Sequence, residues 1–180
     1  MTPTTETLTG NIRVRLLQNS DAELLAAAYE LNREHLAPWE PERHEEFFTP
    51  AGQSAVIDSK LALHGTGSEV PWVLLDGAGI IGCVTLTGIV RGPFLSCHLG
   101  YWVGRSFNGQ GIASAAVAFA LDTAERDLSL HRVQAATLKH NAASQKVLER
   151  SGFEEIGMAP SYLKIAGSWQ DHALYQRVLH

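Results

Sequence analysis

Two glycines lie in a short loop between a strand-like segment and a long, apolar, helix-like segment. Gly109 and Gly111 are one residue apart, and Ile112, Ala113 and Ser114 follow them at the predicted helix start. Glycine lets the backbone take positive φ angles and approach a ligand closely. The first amides of a helix have no intrahelical partner and the helix dipole is positive there, so such a start binds anions. The loop predicts a pyrophosphate cradle, with a plain glycine turn as the alternative.

The two common phosphate motifs do not match this loop. A P-loop carries Lys and then Ser or Thr after its last glycine, whereas Gly111 is followed by Ile112 and Ala113. A dinucleotide fingerprint needs a third glycine, which residues 109–114 lack. If the loop binds phosphate, it does so as part of another kind of site.

A second segment, residues 140–153, has an asparagine at a predicted helix start and a Gly-Phe pair at its end. Asn141 is a good N-cap residue. Ser144 lies three residues further on, so the two side chains share a face of the helix. Ser144 can instead bond its own backbone, as serines on helix surfaces do. The segment therefore predicts either a capped surface helix or a polar pair that faces a ligand.

Together the two segments resemble the GNAT superfamily of N-acetyltransferases. The spacing of Asn108, Gly111 and Ala113 is similar to the acetyl-CoA signature Gln/Arg-x-x-Gly-x-Gly/Ala, with Asn108 in place of Gln or Arg. Residues 140–153 are similar to the family's Asn-capped helix that closes on Gly-Phe. Further stretches resemble the ribosomal-protein-alanine N-acetyltransferases in particular; they are residues 36–41, 45–48, 97–101 and 162–172.

The resemblance runs from about residue 12 to the end of the chain and implies the fold and the cosubstrate. The implied fold is a single α+β (mixed α/β) domain with a twisted, mostly antiparallel sheet of six to seven strands, splayed in the middle and flanked by about four helices. The implied cosubstrate is acetyl-CoA, with no metal. The residues implied for its binding are Tyr101, Trp102, Val103, Asn108, Gly109, Gln110, Gly111, Ile112, Ala113, Ser114 and Asn141.

The resemblance also implies catalytic roles. Ser144 occupies the position of a serine proposed to protonate the leaving thiolate, because Leu148 stands where many members carry a tyrosine. The base stays open between two residues. His98 stands where related enzymes often have Glu, and an imidazole suits proton removal near neutral pH. Glu40 is the rival, and its neighbour Trp39 is expected to wall the acceptor slot, so both are expected to bind substrate.

The predicted reaction is direct transfer of an acetyl group to a primary amine, with the α-amine of a protein such as a ribosomal protein as the leading acceptor. An α-amine has a pKa of about 7.7–8.0 and needs only a modest base. The alternatives are an acetyltransferase of a small amine and a non-catalytic acyl-CoA-binding module. A ping-pong route through Cys83 or Cys97 is disfavoured, since free cysteines in apolar strands are usually buried.

Hydrophobic periodicity supplies the elements that position these residues. Alternation along residues 95–103 puts His98 and Trp102 on one face of a strand and Tyr101 on the other. The remaining pattern predicts strands at 12–17, 72–75, 80–89 and 133–138 and two β segments after 150, with helices from 19 or 20 to 37, 53–63, 113–128 and 142–150.

Composition bounds the class of protein. A chain of 180 residues favours one domain, expected over residues 11–180 after a flexible tail at 1–10. A net charge of -5 argues against direct nucleic-acid binding. The sequence has no apolar run of the ~20 residues that span a membrane and no signal-peptide pattern at its start. With two cysteines, these features predict a cytoplasmic protein, either a monomer or a homodimer.

Overall fold

One sheet of eight strands runs through the protein, of which the computed structural model describes residues 4–180. The strands are β1 (Glu6–Thr9), β2 (Ile12–Leu16), β3 (Val70–Asp76), β4 (Gly79–Val90), β5 (Ser96–Val103), β6 (Arg132–Leu138), β7 (Glu154–Ile165) and β8 (Ser168–Val178). Their spatial order is β1-β2-β3-β4-β5-β6-β8-β7. The last two strands therefore form a hairpin that lies beside β6, beyond the middle of the sheet.

Helices cover both faces of the sheet. They are α1 (Ala22–Leu31), α2 (Arg33–Leu36), α3 (Pro50–Gly65), α4 (Ile112–Arg126) and α5 (Ala142–Arg150), with 3-10 turns at Asn19–Asp21, Glu45–Phe48 and Arg105–Phe107. The side chains of α1, α2 and α3 pack in one apolar cluster, and those of α4 and α5 pack in another. Thr49 caps α3 by accepting a hydrogen bond from the Gly52 amide at 3.1 Å, and Pro50 fills the first helical position.

The middle of the sheet is open because β5 and β6 pair over only three residues. They are parallel, and their register ends at His98 and Gln134. The other neighbouring strands pair antiparallel. Beyond His98, β5 continues beside β4 while β6 follows β8, so the two strands diverge toward the start of α4. This confirms the predicted single α+β domain with a mostly antiparallel, splayed sheet.

Two details of the prediction need correction. The sheet has eight strands rather than six to seven, because residues 6–9 of the predicted tail form β1 and pair with β2. This segment is rich in threonine, which favours strands, and it covers the edge of β2. The tail at residues 1–3 lies outside the described residues. The part of the chain that the structure describes has five helices rather than about four, because the predicted first helix divides at Asn32.

The interior is packed along the apolar stripes that the sequence predicted. On α4, Ala116, Val117, Ala120 and Ala124 are 0 % exposed, and these small side chains let the helix lie close to the sheet. On the other face, Ile57 of α3 is fully buried. Burial of one such side chain contributes about 1.5–3 kcal/mol. No helix within residues 4–180 is long and apolar enough to cross a membrane.

Candidate active site

The loop before α4 has the backbone geometry of an anion cradle. Gly109 and Gly111 have φ angles of +75° and +77°, and a Cβ added to either would meet no atom within 4 Å. The left-handed backbone, rather than crowding, therefore requires glycine at these positions. The helix's first bond joins the Ala115 amide to the Gly111 carbonyl at 3.0 Å. The amides of residues 112–114 consequently have no partner within the helix and point out of its N-terminal end.

A buried asparagine holds the start of this loop. Asn32, which is 6 % exposed, accepts a hydrogen bond from the Arg105 amide at 2.9 Å and donates one to the Ala28 carbonyl at 2.9 Å. The Gly104 amide also donates to the Ile81 carbonyl at 2.7 Å. Sequence reasoning missed Asn32, because its only signal is a polar residue inside a helical pattern.

The side chain of Asn108 contacts α2, and that of Gln110 contacts the preceding 3-10 turn. Asn108 Nδ2 lies 3.4 Å from His35 Nε2, and Gln110 donates to the Ser106 carbonyl at 3.1 Å. The cradle is thus bordered by two amide side chains, whereas the atoms that point into it are backbone amides. The predicted residues 108–114 form the loop and the first turn of α4, and they are not among the residues that line the two cavities described below.

The divergence of β5 and β6 leaves a cavity of about 180 Å³, which we call the gap cavity. Residues 135–138 of β6 line one side, and residues 99–102 of β5 line the other. Asn141 and Ser144 of α5 close it on one face of the sheet, and Trp39, Glu40 and His172 contribute to the lining as well. The backbone edge of β5 beyond His98 faces this gap without pairing to β6.

A hydrogen bond crosses the gap cavity from the sheet to α5. Tyr101 Oη lies 2.9 Å from Ser144 Oγ, and Asn141 Oδ1 accepts from the Ser144 amide at 3.2 Å. Asn141 is therefore the N-cap of α5, as predicted, and it orients the first turn that carries Ser144. Burial raises the pKa of Tyr101, and the hydrogen bond with Ser144 partly offsets that effect. The phenol is accordingly protonated at neutral pH.

A second cavity, of about 330 Å³, lies under α1 and α3, and we call it the helix-side cavity. It shares five lining residues with the gap cavity, which are Trp39, Glu40, Gly100, Tyr101 and Trp102. Trp102 is buried against α1, where its indole N–H donates to Tyr29 Oη at 3.1 Å. The two cavities are therefore neighbours along the middle of β5, and the same residues border both.

Glu40 lies where the two cavities meet. Its carbonyl accepts from the Ala166 amide of the β7–β8 turn at 3.0 Å, which ties the loop to the hairpin. Burial raises the pKa of the Glu40 carboxyl, and Arg43, 3.8 Å away, partly counters this. The ring of Trp39 packs on the ring of His140 at 5.5 Å between centroids, so it forms part of the cavity wall.

The predicted residues His98 and Val103 of β5 do not present their side chains to either cavity. His98 is exposed on the sheet surface, opposite Thr87 and Gln134, and the residues described as lining the two cavities do not include it. The Val103 side chain is buried in the core beneath α4, which leaves only its backbone for a ligand. The faces of β5 were predicted correctly, but alternation does not show how far along a strand a cavity extends.

The two cysteines have no activating environment. Burial raises the pKa of both the Cys83 thiol and the Cys97 thiol to about 12. A nucleophilic cysteine needs a lowered pKa, usually from a nearby cation or a helix N-terminus. The arrangement therefore supports direct attack on a bound thioester rather than an acetylated thiol.

This combination of a splayed sheet and a helix-start cradle has a counterpart among known families. Residues 11–154 match the family model described as the acetyltransferase (GNAT) domain. The chain belongs to the GNAT acetyltransferase family, which confirms the resemblance found in the sequence. It is an N-acetyltransferase, and its cosubstrate is acetyl-CoA.

Its relatives include enzymes that act on ribosomal proteins. The [ribosomal protein uS5]-alanine N-acetyltransferase of Escherichia coli is 37% identical over 174 residues, which are 96% of this chain and 90% of the relative. The crystal structure of the ribosomal-protein-S5-alanine acetyltransferase of Vibrio fischeri superposes with a TM-score of 0.92 and 37% identity, covering 97% and 96% of the two chains. Mycobacterium smegmatis RimJ, solved with CoA-disulfide, gives a TM-score of 0.90 at 29% identity, covering 98% of this chain and 85% of that one.

Proposed function

We propose that the protein acetylates the N-terminal α-amine of a protein, with a ribosomal protein as the leading acceptor. The supporting observation is the junction of the two cavities at Glu40 and Tyr101, where an amine can reach a thioester held in the gap. The relatives from Escherichia coli and Vibrio fischeri, named for acetylation of ribosomal protein alanine, support this acceptor class. An enzyme with this acceptor would act in the cytoplasm.

The amides of residues 112–114 are proposed to bind the pyrophosphate of acetyl-CoA, with Asn108 and Gln110 at the border of the cradle. Gly111 gives that approach its backbone conformation. The pantetheine arm would lie in the gap as an added strand along residues 100–103 of β5, held by main-chain hydrogen bonds. Asn141 would contact the same arm while it caps α5.

Direct transfer needs a held thioester, a neutral amine, a donor to the oxyanion and a proton for the thiolate. In the proposed site a backbone amide of β5 stabilises the oxyanion. Ser144, hydrogen-bonded to Tyr101, supplies the proton to the departing thiolate. Glu40 receives the positively charged amine, because a partly buried carboxylate binds an ammonium group strongly. Trp39 forms the wall of the acceptor slot.

An N-terminal amine suits this site better than a lysine side chain. The α-amine has a pKa of about 7.7–8.0 and lysine about 10.4, so far more of the α-amine is neutral at physiological pH. A small amine is the second candidate. The helix-side cavity favours it, since about 330 Å³ lined by α1 and α3 can enclose a small molecule.

Turnover of defined acceptors tests the proposal. The purified protein would be incubated with acetyl-CoA and with peptides that begin with Ala, Ser or Met, and products would be located by mass spectrometry. The same peptides with a blocked N-terminus but an internal lysine are the matched controls. We expect acetylation of free N-termini only. Efficient turnover of polyamines or free amino acids, with inert peptides, would replace the protein acceptor by a small amine.

A further inference from the structure

A buried histidine on β8 is held in one tautomer. His172 is 3 % exposed, and its Nδ1 lies 2.9 Å from the Gln170 carbonyl oxygen. A carbonyl oxygen can only accept a hydrogen bond, so Nδ1 carries the hydrogen. In a neutral ring, Nε2 then presents a lone pair. Within residues 4–180 the structure gives Nε2 no hydrogen-bond partner, and the ring lines the gap cavity.

The position of His172 relative to the proton donor is informative. Its neighbour Ala173 and the following Tyr175 point into the core beneath α4 and α5. Because side chains alternate along a strand, His172 points to the opposite face of the sheet. That is the face of α1, whereas Ser144 approaches the gap from α5. His172 and Ser144 therefore reach one cavity from opposite faces of the sheet.

We propose that His172 Nε2 is the general base of this enzyme, an inference that rests on the proposed acetylation of an amine. Nε2 takes one proton from the bound ammonium group, and the freed nitrogen lone pair attacks the thioester carbonyl carbon. The C–N bond forms and the C–S bond breaks. A second proton of the amine reaches the thiolate through the Ser144 hydroxyl, and the imidazolium returns its proton to water. The products are the amide, the CoA thiol and one proton.

The neighbours of His172 suit a base that exchanges protons. The titratable groups that line the gap cavity with His172 are Glu40 from the loop after α2 and Tyr101 from β5, and the ring centroid of Tyr162 from β7 is 5.7 Å from the His172 ring. The lining residues of β6, 135–138, carry no charge. With Glu40 engaged by the ammonium group, the unpartnered ring nitrogen is the acceptor left for its proton. The hydrogen bond to the Gln170 carbonyl fixes the ring orientation, as an orienting group does for a catalytic histidine.

The variant His172→Asn tests the role of Nε2 apart from the role of Nδ1. The asparagine amide occupies about the place of Nδ1 and can keep the bond to the Gln170 carbonyl, but nothing replaces Nε2. We expect kcat/KM for the peptide to fall about 100-fold at pH 7. The deficit should shrink to less than about tenfold at pH 9, where the α-amine is already neutral. The matched control is His131→Asn, at the opposite end of β6, which should stay within about threefold of wild type.

Several outcomes would overturn the inference. A His172→Asn enzyme that keeps wild-type kcat/KM at pH 7, or loses the same factor at both pH values, excludes a base. A loss of kcat/KM that depends on pH in Glu40→Gln but not in His172→Asn would also exclude His172 as the base. Should His172→Asn fail to fold, nitrogen NMR of the wild-type protein decides, since Nε2 must carry no hydrogen and must shift when a peptide–CoA bisubstrate binds. If the wild-type protein does not acetylate peptides, the proposed acceptor is wrong, but the role of His172 is still open to test. The His172→Asn variant is then assayed with the amine that the wild-type protein does acetylate.

Discussion

The phenol oxygen of Tyr101 lies 2.9 Å from the hydroxyl oxygen of Ser144, which joins the central strand to α5 across the gap. Either oxygen can donate this hydrogen bond, so a proton can pass between them. Burial raises the pKa of Tyr101, which keeps the phenol able to donate. The two groups thus form a short proton path beside the place proposed for the thioester sulfur. Leu148, which takes the position of a tyrosine in many relatives by resemblance, is fully buried in the core.

Ser144→Ala should lower kcat by about 10- to 100-fold and leave the KM for acetyl-CoA within about threefold, because the hydroxyl acts mainly as the thiolate departs. Tyr101→Phe should give a smaller loss of its own. In the double variant, kcat should fall by less than the product of the two single-variant factors, since the two groups act as a unit. Steady-state kinetics on all three, with Ser59→Ala on the exposed side of α3 as control, makes the measurement. A change confined to KM would show a binding role.

Much of the fold could be predicted because its elements follow simple periodicities. The helix predicted at residues 142–150 has those bounds in the structure, and the faces of β5 are as alternation predicts. The edge strand β1 could not be seen, since four residues carry little pattern and their pairing with β2 is a contact between strands.

The site was predicted where backbone conformation dictates sequence and missed where distant residues meet. Gly109 and Gly111 made the loop recognisable in the sequence, because other residues rarely adopt their φ angles. His98 and His172 look alike in sequence, as single histidines on strands. They differ in the structure because β5 and β6 part just after His98, and His172 lies beside Leu138 at the open end of the gap.

Gly111→Glu should abolish measurable binding of acetyl-CoA. The substitution places a negative side chain at the helix start where the phosphates are proposed to bind, and it strains a backbone with φ of +77°. Gly77→Glu is the matched control, because Gly77 also has a positive φ, of +58°, and open surroundings, but lies in the β3–β4 turn. Calorimetric titration with CoA compares the two. If both variants bound CoA with the same affinity, the nucleotide would bind at a site other than the start of α4.

The raised pKa values of Cys83 and Cys97, both about 12, predict that no acetyl group is transferred to the protein during turnover. Incubation with acetyl-CoA in the absence of an amine should leave the intact mass of the chain unchanged. Initial rates at varied concentrations of both substrates should give intersecting rather than parallel lines in double-reciprocal plots. Parallel lines together with an acetylated cysteine peptide would contradict direct transfer.

Glu40→Gln should separate binding from stability. The KM for the acceptor should rise about tenfold or more, because an ammonium group loses its charged partner, while the KM for acetyl-CoA stays unchanged. Glu42→Gln, two residues along the same loop and exposed, is the control and should change neither constant.

Glu40→Gln should weaken acceptor binding but raise the stability of the folded protein, and the gain in stability should depend on pH. Burial raises the pKa of the folded-state Glu40 carboxyl above its value in the unfolded chain, so the folded protein holds this proton more tightly. The free energy of unfolding of the wild type therefore falls as pH rises from the unfolded pKa, about 4.3, through the folded one. Glutamine has no such proton. The variant should accordingly melt at a higher temperature than wild type at pH 7, and this advantage should vanish near pH 3, where both states of the wild type are protonated. Thermal melts of both proteins across this pH range make the comparison. A variant less stable than wild type at pH 7 would mean that the ion pair of Glu40 with Arg43 outweighs the cost of burying the carboxylate.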